Sequence, residues 1–235
     1  MHFSLIVPMY NEASIIEATA KTYHEYLSAK LPDHELIFVD DGSIDDCAAR
    51  VEALKLPKVR VLRYTPNQGK GNAVKTGMLA ASGDIRMFLD ADIAYGTEVI
   101  GRTAELFAQH PEKDMVIGSR PLHPEGYAGY TPIRKLASKT YIKVLNVAGG
   151  FRLSDSQCGC KAYRGPAAQA IFSRTETKGF AFDFETILWA QKLGYGIVEM
   201  PVKIVNHRES KVNVVRDTFR MLGELRAIKA RVRKA

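Results

Sequence analysis

Five short runs of β-branched and apolar residues recur along the first half of this chain: Phe3–Val7, Glu35–Val39, Val59–Tyr64, Arg86–Leu89 and Met115–Ile117. Between them lie four stretches with helical pattern, Ala13–Ser28, Asp45–Leu54, Gly71–Ala81 and Thr97–Gln109. Runs of this length, alternating with helices, predict an α/β fold, a doubly wound and mostly parallel sheet flanked by helices. In such a sheet ligands bind beyond the carboxyl ends of the strands. Polar clusters follow the runs at just those ends: Pro8-Met9-Tyr10-Asn11-Glu12, Asp40-Asp41-Gly42-Ser43 and Asp90-Ala91-Asp92.

The rhythm breaks after residue 118. A Gly/Pro/Tyr-rich loop, Pro121–Pro132, leads to an amphipathic helix near Ile133–Ala148, and then to polar segments between short helices. With 235 residues and 46% hydrophobic content the chain can bury one sizeable core, so this half reads as an elaboration of the sheet, not a second domain. No internal repeat or low-complexity segment interrupts it.

The formal charge of +7 is unevenly placed. Residues 208–235 hold nine Lys and Arg against Glu209, Asp217 and Glu224, a surplus of six, which leaves the body nearly neutral. A polyanionic surface is the partner this implies. From Val215 onward, apolar residues including Phe219, Leu222, Leu225, Ile228 and Val232 recur at helical spacing among the basic ones, so 213–235 predicts a basic amphipathic helix. Its apolar face suits a membrane surface and a docking site on the domain equally. A nucleic-acid-binding protein is the reading from another class, but the neutral body offers no basic face and the sole tryptophan, Trp189, falls in the helical run FETILWA. No nucleic acid is expected as partner.

Three cysteines, Cys47, Cys158 and Cys160, have neither zinc spacing nor disulfide density, which points to a reducing, cytoplasmic setting. The opening MHFSLIVPMYNE is interrupted too early, by Pro8, Asn11 and Glu12, for a signal peptide. No apolar run reaches the ~18 residues of a membrane span.

Asp90 and Asp92, two carboxylates two residues apart at a strand end, can turn toward one hard cation, Mg2+ or Mn2+, alongside substrate phosphate oxygens. The same composition is common in plain turns. Asp40-Asp41-Gly42-Ser43 can accept hydrogen bonds from a base or ribose, or cap a helix. Asn67-Gln68-Gly69-Lys70-Gly71 opens a helix and suits phosphate contact through Lys70, or is a simple loop-to-helix junction; it is neither a P-loop nor a dinucleotide fingerprint, which argues against kinases, ATPases and dehydrogenases.

Taken together, VPMYNE, VDDGSIDD, NQGKGNAVKTG and FLDAD resemble the family-2 inverting glycosyltransferases of the GT-A fold. IGSRP, RKLAS, DSQCGCKAY, FAFDFE and MPVKIVNHRESKV are similar to the polyprenyl- and dolichyl-phosphate hexosyltransferases, and DSQCGCK with ESKV leans toward the phosphoglucosyl branch. The resemblance runs from about residue 3 to at least residue 212 and implies a GT-A glycosyltransferase domain over 1–212. It implies nucleotide-sugar binding by Pro8, Tyr10, Glu12, Asp40, Asp41, Lys70, Asp90 and Gln157, and a metal held by Asp90 and Asp92. It implies acceptor binding by Arg120, Arg134, Ser138, Asp183, Glu185 and Lys211, with Asp92, Arg120, Arg134 and Arg208 carrying the reaction. Ile93, Ala94 and Tyr95 stand where mannosyl members often have a metal-binding Gln.

The implied activity is metal-dependent, inverting transfer of a hexose, glucose before mannose, from UDP-glucose or GDP-mannose to a polyprenyl or dolichyl phosphate. The protein would sit peripherally on the cytoplasmic face of a membrane, and a lipid acceptor tips residues 213–235 toward contact with that surface. A phosphate acceptor arrives ionised, so Asp183 and Glu185 would orient it or support a helix N-terminus, not act as bases. With a sugar or protein hydroxyl as acceptor, one of them would be indispensable.

Overall fold

In the computed structural model, which describes residues 1–206 and 214–234 apart from the side chains of 133–134 and 214–222, β1 (Phe3–Met9) shows why the early runs are continuously apolar. Phe3, Leu5, Val7 and Met9 face one core cluster and Ile6 the other, so alternate residues are buried on both sides of the sheet. On the first side α1 (Ile16–Lys30) supplies Ile16, Ala20, Tyr23 and Leu27. On the second, α3 (Lys70–Ala80) lies so close that a side chain at Gly77 would strike Ile6 and Val39.

The remaining elements are β2 (His34–Asp41), α2 (Cys47–Ala53), β3 (Val59–Tyr64), β4 (Ile85–Leu89), α4 (Glu98–Gln109), β5 (Met115–Ser119) and α5 (Pro132–Gly149). Then come β6 (Cys160–Arg164), α6 (Gly165–Phe172), α7 (Phe182–Lys192), β7 (Ile197–Pro201) and α8 (Val214–Lys234). The seven strands are ordered β3-β2-β1-β4-β6-β5-β7. β1 pairs in parallel with both β2 and β4, so the connections wind outward in opposite senses from it, and a crevice opens beyond its carboxyl end.

Two strands depart from the expected polar segments. β6 runs antiparallel between β4 and β5, and β7 lies parallel to β5 at the sheet edge. The tail also resolves one of its two alternatives in part: Leu225, Ile228 and Val232 of α8 are buried in the cluster that holds Ile187 and Trp189 of α7. Among the described residues no helix is long and apolar enough to cross a membrane.

Candidate active site

The carboxyl ends of β1, β2 and β4 bring the three polar clusters together. The loops after β1 and β2 are tied by reciprocal bonds: Asn11 N donates to Ser43 Oγ (2.9 Å) and Ile44 N to Asn11 Oδ1 (2.9 Å). Pro8 lies within β1 opposite Val39, Tyr10 stands at the rim with 42% of its surface exposed, and Glu12 starts the turn into α1 by accepting Ile15 N and Ile16 N at its carbonyl.

Asp40 and Asp41 differ sharply despite being neighbours. Asp40 is fully buried; its Oδ1 accepts Ser43 N (2.9 Å), while Oδ2 has Arg63 Nε 3.1 Å away but receives no aligned hydrogen bond. An unsatisfied buried carboxylate oxygen in a crevice is suited to a ligand N–H or O–H. The carboxylate of Asp41 is instead saturated from within. Tyr64 Oη and Gln68 N donate to Oδ1 (2.7 and 2.8 Å), and Asn67 Nδ2 and Gly69 N to Oδ2 (2.8 Å each). Asp41 therefore shapes the loop that enters α3, an internal role that stands beside the nucleotide contact expected of it.

That loop delivers Lys70. Gly69, with φ of 102°, and Gly71 are pressed against the backbone of residues 177–179, where a Cβ on either would lie within 2.6 Å of a carbonyl oxygen. Glycine alone fits there. Lys70 Nζ then reaches Asp90 Oδ1 at 2.5 Å. Burial works against its charge, yet Asp90, Asp183 and Asp92 outweigh it and hold its pKa above the ordinary lysine value.

The Asp90-Ala91-Asp92 loop is fixed from below by α1: Thr19 Oγ1 donates to Ala91 O (2.6 Å) and Tyr23 Oη to Asp90 O (3.1 Å). Asp92 Oδ1 accepts Ala94 N (3.0 Å), and Asn206 Nδ2 donates to Asp92 O (2.6 Å). Gly159 abuts the Asp90 carboxylate so closely that any side chain would displace it. The two acids fit a hard divalent ion as an all-oxygen pair. Among the described residues no group of three His, Cys, Asp or Glu gathers there, so substrate phosphate or water would complete the coordination.

On the far side, Arg120 forms a bidentate pair with the fully buried Asp155, Nε to Oδ2 at 2.6 Å and Nη2 to Oδ1 at 3.1 Å, and Nη1 donates to Tyr130 Oη (3.0 Å). Burial lowers its pKa, but Asp155 more than compensates and leaves it well above the usual range. Of five guanidinium N–H groups, these bonds leave two for an anion. Gln157 N donates to Asp155 Oδ1 (3.2 Å). Ser138 is half-buried on α5, the helix that also carries Arg134 in its first turn. Arg208 and Lys211 lie outside the described residues.

Asp183 and Glu185 sit at the start of α7 with different duties. Lys161, fully buried on β6, donates to Asp183 Oδ1 and to Cys158 O, both at 2.7 Å. Burial raises the Asp183 pKa, opposed by Lys161 and Lys70. Glu185 is wholly buried and accepts Thr177 N (2.8 Å), Glu176 N (3.2 Å), Trp189 Nε1 (3.4 Å) and Arg231 Nη1 (2.9 Å). Without exposed surface, Glu185 fits the structural one of its two expected roles, as an anchor for the 176–177 turn and for α8.

Glycosyl transferase family 2 matches residues 4–172, the stretch from β1 through α6 that carries Asp40, Lys70, Asp90, Asp92 and Arg120. The chain belongs to that family. It is 30% identical to dolichyl-phosphate beta-glucosyltransferase ALG5C of Trichomonas vaginalis over 91% of the chain and 67% of that relative. It is equally identical to undecaprenyl-phosphate mannosyltransferase of Micrococcus luteus, over 91% and 88%. Against glycosyltransferase AglD of Haloferax volcanii the identity is again 30%, but the chain spans only 36% of that protein. Glucosyl-3-phosphoglycerate synthase from Mycobacterium tuberculosis, solved with Mn2+, UDP-glucose and phosphoglyceric acid, shares the fold: TM-score 0.73 at 21% identity, covering 98% of this chain and 79% of that one.

Three features of this family-2 glycosyltransferase were not singled out from sequence: the Lys161–Asp183 pair, the Arg120–Asp155 pair, and Glu199, which accepts Ser154 N (2.9 Å), Ser154 Oγ (2.6 Å) and Asp155 N (3.2 Å). Only the proximity of DSQCGCK to the strand end hinted at them.

Proposed function

We propose that this glycosyltransferase moves a hexose, glucose in preference to mannose, from UDP-glucose or GDP-mannose to a polyprenyl or dolichyl phosphate, with inversion, at the cytoplasmic face of a membrane. Residues 1–212 form its catalytic domain and 213–235 belong to the membrane-facing side. The observation that carries the acceptor class is the commitment of both α7 carboxylates: Asp183 is paired with Lys161 and Glu185 is buried under four donors. Glu185 has no exposed oxygen left for a hydroxyl proton, and one oxygen of Asp183 is taken up by the Lys161 ion pair. A phosphate monoester needs no such base at neutral pH, only positioning and charge.

On the donor side, Asp40 Oδ2 offers an acceptor to the base or ribose and Tyr10 an exposed ring at the rim. Lys70 places its ammonium where the diphosphate would lie, and the carbonyls of Asp90 and Ala91, held by α1, keep the acidic pair rigid. Asp90 and Asp92 would hold Mg2+ or Mn2+, which when bound supplies positive charge to the departing diphosphate. The two spare N–H groups of Arg120, with Arg134 and Ser138 on α5, would orient the acceptor phosphate opposite the leaving group. The similarity to a dolichyl-phosphate glucosyltransferase and an undecaprenyl-phosphate mannosyltransferase supports this reading.

The test is incubation with Mn2+ or Mg2+, each nucleotide-sugar and undecaprenyl or dolichyl phosphate, with the lipid product identified by mass. A hexosyl phospholipid is expected, and none from Asp92→Ala. Product formed only on soluble hydroxyl acceptors overturns the proposal, and robust turnover by Asp92→Ala in chelator removes the metal role.

A further inference from the structure

α5 presents an outer face that no described residue covers. Leu136 is 68% exposed, Val144 41% and Val147 77%. Eleven residues make three helical turns plus about 20°, so Leu136 and Val147 fall on one line and Val144 lies beside it. On the other flank of this ridge stand Lys139 and Lys143, with Lys135 a turn earlier, all exposed. The sequence of α5, PIRKLASKTYIKVLNVAG, contains no acidic residue. An aliphatic ridge edged by cations with no compensating carboxylate is unlike an ordinary solvated helix face, where charges of both signs alternate.

The ridge does not end with α5. Val147 opens onto a groove of about 530 Å³ lined also by Leu188 of α7 and by Lys229 and Arg233 of α8. Two of the tail's basic residues, Lys229 and Arg233, are thus brought to the edge of the α5 ridge, while the tail's own Leu225, Ile228 and Val232 are buried in the domain. Sequence placed the apolar membrane contact on the tail; in the fold that part of its stripe is already covered, and an exposed aliphatic face is found on α5 instead.

We infer that α5 is the surface by which this protein docks on an anionic bilayer, with Leu136, Val144 and Val147 entering the interface and Lys135, Lys139, Lys143, Lys229 and Arg233 meeting lipid headgroups. The charge pattern selects this occupant over a second copy of the chain. Two α5 faces packed about a twofold axis would set lysines against lysines without an acid between them. A bilayer supplies the missing negative charge in quantity, and each basic residue near it contributes about fivefold in affinity. The inference rests on the proposed lipid acceptor only for its purpose: α5 also carries Arg134 and Ser138, so docking by this helix would bring a membrane-held phosphate to the crevice.

Flotation of the whole protein with vesicles tests it. Binding is expected to a two-to-one mixture of phosphatidylcholine and phosphatidylglycerol, to weaken at high salt, and to be absent on phosphatidylcholine alone. Leu136→Asp/Val147→Asp should lose at least about tenfold in vesicle affinity, and Lys139→Gln/Lys143→Gln should lose about 25-fold. Both sites are exposed, so an unchanged thermal melt is expected, and turnover on a detergent-dispersed short-chain polyprenyl phosphate should remain at the parent level. Wild-type protein that ignores anionic vesicles, or variants that bind as well as wild type, overturn the inference. A concentration-dependent dimer abolished by Leu136→Asp/Val147→Asp would give the face to a second copy instead. Vesicle binding without turnover on any lipid phosphate would sink the proposed function and leave the docking face standing.

Discussion

Lys70 Nζ lies 2.5 Å from Asp90 Oδ1, so the chain's own ammonium rests on one of the two acids assigned to the metal. Asp183 and Asp92 add to the field that keeps this lysine charged despite burial. On the proposed function, a cation in that position would both compete with a divalent ion for Asp90 and meet the donor diphosphate. Replacing it by an uncharged side chain separates the two effects. Lys70→Met should bind Mn2+ more tightly than the parent when no nucleotide is present, as read by the free-Mn2+ electron paramagnetic resonance signal. Its turnover should fall on the order of 100-fold, because a charge stabilising the leaving group is gone. Weaker Mn2+ binding by the variant would show that Lys70 does not compete for the acid.

How much of this site could be read in advance follows from burial. β1, β2, β4 and β5 were legible because strands covered on both faces are nearly pure apolar runs, and the edge strand β3 by its Val59, Val61 and Leu62 interspersed with the exposed Arg60 and Arg63. β6 was hidden by Lys161, a charge buried in the middle of CKAYR, and β7 by Glu199 in IVEMP. Asp40 and Asp41 were read alike, yet successive strand residues point to opposite faces, so one keeps an unsatisfied oxygen in the crevice and the other turns to the α3 loop. Arg120 and Asp155 meet across 35 positions of sequence, and no local pattern encodes such a pair. The amphipathic period of the tail was legible too, but period alone does not say what covers an apolar stripe.

Asp41 tests whether the loop before α3 is held by one carboxylate. Its four incoming bonds use both oxygens as acceptors, and asparagine would turn an N–H toward one pair of donors. Asp41→Asn should therefore cost about 1–3 kcal/mol in urea unfolding. Because the loop also aims Lys70, the donor KM should rise by more than kcat falls. A variant with wild-type stability and donor KM would show that the loop keeps its shape without this acid.

Glu35 makes a pH prediction. Burial pushes its carboxyl up, but bonds from Ser82 N (2.6 Å), Ser4 Oγ (2.7 Å), Ser82 Oγ (2.8 Å) and Arg60 Nη2 (3.0 Å) prevail and bring the pKa from 4.5 down to about 2. The folded state thus binds this proton less readily than the unfolded chain. Its contribution to stability is complete above about pH 4.5 and is lost as pH falls toward 2. Urea midpoints across that window should drop less steeply for Glu35→Gln than for the parent, whose plateau above it should be higher. Parallel curves for the two proteins would place the acid sensitivity elsewhere.

The Lys161–Asp183 pair sets the sharpest separation between holding the fold and serving the site. Both side chains are almost wholly buried, at 0% and 8% exposure, so removing either leaves an uncompensated charge in the core. Lys161→Met should lose about 3–5 kcal/mol, and Asp183→Asn a comparable amount. In Lys161→Met/Asp183→Asn neither charge remains, and much of that loss should return, giving a coupling well above the roughly 0.5 kcal/mol of independent sites. Activity should not return with it. Asp183 also acts on Lys70, so the double variant keeps its fold while Lys70 has only Asp90 and Asp92 to hold it over the donor diphosphate. Chemical denaturation and donor KM, measured on all four proteins, check both halves; recovery of stability and KM together would mean that the pair serves the core alone.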